Sequence, residues 1–535
     1  MNILYLQNNA RKNELNSRGI DYTPAYIPAI LAWLGASGKP VCPCSLDSLT
    51  ENDVLLANMD DLEVIPENAG AVILLGGGES IRERKIHGHF LIGEERIPLF
   101  VPLIADDDAS SMGEVLYTAE AENGSNVPAL IKRNDRVYDF RFDLCATVWF
   151  SGDGFLPEGP SNYFFIGRTP DSRPDLACRY SAKPFNDHLL LVLEDILSDL
   201  GVPMLSRIPL TEDGEIPDFA LHMSGDDDCT SADFNLTAAR VANSLGLYYH
   251  VNAMPGGDKF VITKEQAEEM ADLGCELALH TDYTVQPYTF EGQKCSADLY
   301  RSYFGMEPVT NVNHCLVEGG KSAERMRWLA ACGIIADNGK LGEFDASDIN
   351  AFNLMGFGFG TSFPRYTCDD AAHDNVLIEC MEIPNTYYEP RLGGTYEGTE
   401  EMVKSYIDDA AAEGRIVQFF IHPHYLWHES PHAQWSVAAL RLAKAYWEEK
   451  GYKIALTSTN RIAKFWQARK NAEITLSDGV ITVKCDAPCA LVLPEGVKSA
   501  ETDGKTAEIV VKMISDRETA LTALTEPGVH RIVIA

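Results

Sequence analysis

From about residue 206 to 470 the chain alternates short apolar runs with helix-length amphipathic stretches, and no other feature restricts its fold as strongly. Phe219–Met223 reads as a strand ending in Ser224-Gly225-Asp226-Asp227-Asp228. Ser231–Leu245 reads as a helix stopped by Gly246. Leu247–Ala253 is the next strand, and Thr263-Lys264-Glu265-Gln266 has the pattern of a capping box before a helix that ends at Gly274. Cys275–His280, Asn311–Val317, Ile334–Ala336, Val376–Ile383, Ile416–Ile421 and Lys453–Thr457 continue the strand series. Helices opened by Ser322, Thr399 and Ser436 fall between them. Repeats of this kind build a parallel sheet, and their number favours closure into a (β/α) barrel.

The flanks differ from this middle zone. Residues 1 to about 205 begin with strand-like runs at Asn2–Leu6, Asp53–Ala57 and Gly70–Leu75, with a helical stretch near Ala25–Leu34. This predicts an open α/β domain. Its tail, Pro128 to Phe150, alternates like a β meander. Residues of about 471–535 carry short alternating strands split by Ser477-Asp478-Gly479 and Asp486-Ala487-Pro488, which predicts a small β-sandwich. The expected domains are therefore 1–205, 206–470 and 471–535.

Composition narrows the partners. Asp and Glu total 79 against 44 Lys and Arg, a formal charge of −35. Such a chain is ill suited to a nucleic-acid backbone or an anionic membrane surface. No run approaches the length of a membrane span. The opening MNILYLQNNARKNELN lacks the pattern of a secretory leader, so the expectation is a cytoplasmic protein. The 13 cysteines are scattered, and most read as buried thiols in a reducing compartment. Nothing in the sequence sets an oligomeric state.

The chemistry lies in where polar residues stand. In a parallel (β/α) barrel, reactive groups gather at the carboxyl ends of the strands. Here the first strand ends in Asp226-Asp227-Asp228 and the third in His280-Thr281-Asp282. The fourth carries Asn313-His314, the fifth ends in Asp337-Asn338 and the seventh in His422-Pro423-His424. Each has a plainer explanation, since an Asp after a strand is often a helix cap and a lone His is often a core residue. Five such groups at one rim make the constellation of a divalent metal site with an open position. One carboxylate binds the ion, its neighbour takes a proton from water, and a histidine across the cleft protonates the leaving group. The reaction class is hydrolysis of an amide or ester. Aspartate with histidine suits zinc first, and also permits cobalt, nickel, manganese or iron.

These motifs resemble those of the polysaccharide deacetylase superfamily (carbohydrate esterase family 4, nodulation-type deacetylases) over roughly residues 215–465. That family carries Thr-Phe-Asp-Asp-Gly after its first strand. Ser224-Gly225-Asp226-Asp227-Asp228 is similar, which implies Asp226 as base and Asp227 as metal ligand. The family's His-(Ser/Thr)-x-x-His is matched by His280-Thr281-Asp282-Tyr283-Thr284, with Thr284 in place of the second histidine. The missing ligand has three resolutions: His314 supplies it, Asp282 supplies it, or the site is lost. An imidazole from the neighbouring strand favours His314. Phe420-Ile421-His422 stands where the family has its late Leu-x-His, so the resemblance implies His422 as general acid, with His424 in reserve. It further implies Asp337 as the carboxylate that tunes this histidine. The N-terminal segment more weakly resembles class I glutamine-amidotransferase-like (flavodoxin-like) domains. Its Gly76-Gly77-Gly78 reads either as an anion-binding turn or as a tight strand-to-helix turn.

The resemblance implies a metal-dependent carbohydrate deacetylase. Two other functions compete: a carbohydrate-binding barrel that has lost its metal, and a glycoside hydrolase or lyase using a carboxylate pair such as Glu382 with Asp226 or Asp337. Tyr283, Tyr425 and Trp427 are the aromatic candidates for sugar binding. The glycine-rich Met355–Gly360 stretch is a candidate lid.

Overall fold

The computed structural model describes all residues except 84, 105–110, 154–159, 163–182, 229, 320–321, 342–352, 394–398 and 431. Antiparallel Leu354–Met355 and Arg365–Cys368 border the sheet of the middle segment, whose regular alternation otherwise forms a mixed α/β unit around one parallel series. Its strands are β1 (Phe219–Asp226), β2 (Tyr249–Ala253), β3 (Glu276–Thr281), β4 (Thr310–Asn313), β5 (Ala336–Leu341), β6 (Leu377–Asn385), β7 (Ile416–Phe420) and β8 (Ile454–Leu456). Pairing is parallel from β7 through β1, β2, β3, β4 and β5 to β6. β8 pairs with the first residues of β1, next to where β2 takes over.

This sheet curls into a half-barrel. Gln418 on β7 donates to Asn338 on β5 at 2.8 Å. These strands are five steps apart along the pairing order, roughly 24 Å in a flat sheet. The chain past β6 explains the curl. After Thr386, the two residues Tyr387–Tyr388 pair in parallel with Phe419 and Phe420 of β7. One strand, interrupted at a single residue, thus touches both edges.

Burial follows the alternation of each strand. Outward residues such as Leu221, Met223, Val251, Leu277 and Phe419 join the apolar faces of the surrounding helices in one core. Inward residues are polar: Ser224, Gln418 and Asn338 hydrogen-bond to one another inside the curl. Local signals set the helix ends. Thr263 and Gln266 form the capping box expected of them, and Thr399 caps Glu400–Glu413. The helix expected from Ser436 begins three residues earlier, at Ala433.

Among the described residues, the N-terminal sheet has nine strands. Five are parallel, in the order Gly38–Val41, Asn2–Leu6, Asp53–Ala57, Ala71–Leu74, Val137–Phe140. This is the doubly wound order 2-1-3-4-5. Antiparallel strands extend it from Asn126–Asn134 outward. The meander expected up to Phe150 stops at Phe140. Leu144–Asp153 is instead a helix, buried on every side, with the Asp143 carboxylate accepting from the Ala146 N–H at 2.8 Å. A short run that is apolar all round has no periodicity to separate buried strand from buried helix.

The C-terminal residues form two antiparallel sheets, one of five strands and one of four. Met204–Leu205 joins the four-stranded sheet through Leu491 and Val492. One hydrophobic cluster runs through Ile30 and Trp33, Met381 and Ile383, Trp466, and on to Leu491 and Ile532. Among the described residues, no helix is long and apolar enough to cross a membrane.

Candidate metal centre

The carboxyl ends of β1, β3, β4 and β7 converge on one cleft. Inward alternation along β1 places His222, Ser224 and Asp226 on the interior side. Asp226 is buried, with one oxygen accepting from Asn252 Nδ2 at 2.7 Å and the other 3.5 Å from His280 Nε2. Asp227 follows with the opposite facing. Its Oδ1 accepts from the Met254 N–H at 2.9 Å, and its side chain is fully buried. Asp228 then takes a positive φ of 47°, a conformation Asp tolerates better than most residues. That turn brings its carboxylate back over the cleft.

Three potential ligand atoms meet there. Asp228 Oδ1 lies 3.3 Å from His280 Nε2 and 3.1 Å from His314 Nδ1, and the two imidazole nitrogens are 3.3 Å apart. A tetrahedral ion with bonds of about 2.0–2.1 Å holds its ligands roughly 3.3–3.4 Å apart. The three atoms already stand close to that separation, so this donor set fits a divalent cation. His280 is fixed from behind, its Nδ1 against the Val312 carbonyl at 3.1 Å. An outer hydrogen bond of this kind sets the tautomer that leaves Nε2 free to ligate. His314 Nε2 contacts Cys315 Sγ at 3.3 Å.

A second grouping joins Asp226, Asp228 and His422. His422 Nε2 is 3.5 Å from Asp228 Oδ2, and its Nδ1 is 2.5 Å from Glu389 Oε1. Glu389 also accepts from the His422 N–H at 3.0 Å and is buried.

The charges explain the protonation states. Burial raises the Asp226 carboxyl, while the nearby histidines pull it down by less. Burial alone would lower His422, but Asp228, Glu389 and Asp226 outweigh it and push the imidazole up to about 9. His314 is likewise pushed up to about 11 against burial, chiefly by its hydrogen bond to Asp228. Burial opposes ionisation of Asp228, yet the bonds to His280 and His314 hold its carboxyl well below the usual range. A carboxylate among imidazolium groups is the arrangement a cation replaces when it displaces protons.

Asp226, His280, His314 and His422 are thus brought together. Asp228 occupies the position expected of Asp227. Asp337 is not beside His422; it lies under the rim, fully buried, 2.7 Å from Arg325 Nη1 and bonded to Asn311 Nδ2 at 3.1 Å. The carboxylate on His422 is Glu389, which the sequence reading passed over. Its signal was a lone acid before Pro390 at the end of a strand. Thr284 donates to Asp282 at 2.5 Å in a local turn, so Asp282 is engaged there. The His424 ring lies tilted against Tyr425, with centroids 3.8 Å apart, and burial lowers its imidazole to about 4.

The aromatic candidates divide. Tyr425 is half-buried beside His422, with the Arg391 guanidinium 4.3 Å from its ring centre. Trp427 is half-buried against Phe234 at 4.7 Å. Tyr283 is 7% exposed and donates to Gln293 at 2.6 Å, a packed position rather than an open face. Phe357 of the candidate lid is buried, with the Arg415 guanidinium 4.6 Å from its ring centre. In the N-terminal sheet, Gly76 approaches the Phe142 carbonyl so closely that a Cβ would lie 2.0 Å from it. The Gly78 N–H is held by Asp60 at 2.6 Å, so the turn already carries an anion of its own.

No protein-family model matches the sequence, and no curated protein does. Several solved structures align with part of the chain. A candidate polysaccharide deacetylase from Mycobacterium smegmatis aligns over 51% of this chain and 98% of its own, at 13% identity and a TM-score of 0.34. A family 4 acetyl xylan esterase from Clostridium thermocellum, in complex with a cobalt ion, aligns over 46% and 90%, at 10% identity and a TM-score of 0.26. A family 4 carbohydrate esterase from Streptomyces lividans, in complex with acetate, aligns over 45% and 92%, at 10% identity and a TM-score of 0.26. At such scores the chemistry of the cleft rests on its own residues.

Proposed function

We propose that the protein is a metal-dependent hydrolase that deacetylates a carbohydrate, with Asp228, His280 and His314 holding the ion. The observation that carries this reading is the near-tetrahedral spacing of those three ligand atoms, with Asp226 and His422 on either side. Zinc suits two imidazoles and one carboxylate. When bound, such an ion supplies Lewis acidity to the scissile carbonyl and to the attacking water. Asp226 takes the water's proton on the oxygen not bonded to Asn252. Burial raises this carboxyl, and His280 and His422 pull against it. His422 gives its Nε2 proton to the departing nitrogen or oxygen, while Glu389 holds Nδ1 and keeps the ring aimed. Tyr425 and Trp427 form the wall on which a sugar ring would stack.

In this proposal the chain divides at about residues 205 and 470 into a doubly wound domain, a distorted (β/α) barrel and a β-sandwich. The test is acetate release. Zinc-loaded protein is incubated with N- and O-acetylated oligosaccharides, beside His422→Ala. Acetate from the wild type and its loss in the variant support the reading. No acetate from any acetylated sugar, with zinc bound, contradicts it.

A further inference from the structure

Tyr388 stands at the cleft in a role that no motif assigns. It belongs to the two-residue strand Tyr387–Tyr388 and pairs with Phe420. Alternation sends the two rings to opposite faces. Tyr387 packs outward against Tyr406 and Phe419. The Tyr388 ring lies flat on Phe420, with centroids 5.2 Å apart and planes 14° apart. It meets His422 edge-on at 6.0 Å.

Two consequences follow. One face of the Tyr388 ring is covered by Phe420, which weakens it as a sugar-stacking platform. What it offers to the cleft is its hydroxyl. That hydroxyl lies within the electrostatic reach of Asp226 and Asp228 and has no hydrogen-bond partner among the described residues. Burial first, and then these carboxylates with Glu389, hold the phenol protonated well above its ordinary range. A rigid O–H that keeps its proton and has no internal acceptor is a donor awaiting one.

Resting on the hydrolase reading, we propose that Tyr388 is a catalytic residue that donates its O–H to the substrate oxygen on which negative charge grows as the acyl carbon is attacked. The proton stays on the phenol; the hydrogen bond shortens as charge builds. A fixed donor aimed at the oxyanion rather than at the ground-state carbonyl favours the transition state.

Tyr388→Phe removes the hydroxyl and keeps the ring on Phe420. Calorimetry of wild type and variant would use zinc alone, then zinc-loaded protein with methylphosphonate, whose charged oxygens surround a tetrahedral centre. Zinc affinity is expected to be equal in the two proteins. Methylphosphonate is expected to bind the variant at least about 10-fold more weakly, and kcat on any acetylated substrate to fall by about 100-fold with KM unchanged. Equal methylphosphonate affinity in the two proteins would overturn the role of Tyr388 and leave the hydrolase reading standing. A wild type that binds no zinc would overturn both.

Discussion

Glu389 and Asp337 show how far a carboxylate's role depends on its neighbours. Both are buried acids placed near strand ends. Asp337 faces Arg325, whereas Glu389 meets the ring nitrogen of His422 that points away from the cleft. Glu389→Gln keeps the size and removes the charge. It should lower kcat by about 100-fold while leaving the bound metal unchanged, measured as acetate release beside elemental analysis. An unchanged kcat would show that His422 needs no partner. Much at this scale was legible in the sequence. Asp226, His280, His314 and His422 stood out because each is a polar group where an apolar run stops. The choice between Asp227 and Asp228 was not legible, because it turns on one left-handed φ that the residue type permits without requiring. Glu389 was not legible because it follows only the two-residue strand Tyr387–Tyr388, which Thr386 separates from the apolar run before it.

At the scale of elements, local chemistry was read more readily than contacts between segments. The capping box at Thr263 and the glycine stops at Gly246 and Gly414 are written in three or four neighbouring residues. The ties between elements are not. His188, on the helix Phe185–Asp199, bridges Glu95 of the N-terminal sheet at 2.5 Å and Glu413 of the helix Glu400–Glu413 at 3.3 Å. Glu413 in turn meets Arg415 at 2.6 Å. Burial lowers the His188 imidazole, but the two carboxylates outweigh it and push it up to about 9. Its stabilisation is therefore complete below about pH 6.5 and fades as the pH rises through 9, by about 3 kcal/mol at most. Denaturant unfolding between pH 6 and 9.5 should show this fall in the wild type and a smaller one in His188→Gln. Equal slopes would contradict the bridge. Arg469 makes a second tie. It is buried and donates to the Ala32 and Trp33 carbonyls at the end of the helix Ile27–Leu34, and to Leu205 and Ser206. Arg469→Leu leaves those carbonyls without their donor and should cost about 3 kcal/mol, read as a lower denaturation midpoint at unchanged slope. A loss below about 1 kcal/mol would show that other groups satisfy them.

For the whole molecule, the repeats of residues 206–470 announced the parallel sheet, but its curl depends on Tyr387–Tyr388, two residues too few to register as a strand in the sequence. The shared hydrophobic cluster was equally hidden, since Trp33, Met381, Trp466 and Ile532 are far apart in sequence and only the packed chain brings them together. That frame holds the strand ends at fixed distances, and the cleft's chemistry depends on those distances. On the proposal above, the frame presents a divalent-cation site made by Asp228, His280 and His314. Zinc stoichiometry and affinity in wild type, Asp228→Asn and Asp227→Asn check this. One tightly held zinc in the wild type, weakened at least about 100-fold in Asp228→Asn and nearly unchanged in folded Asp227→Asn, is the predicted result. No zinc in the wild type, or a loss that follows Asp227 and spares Asp228, would contradict it.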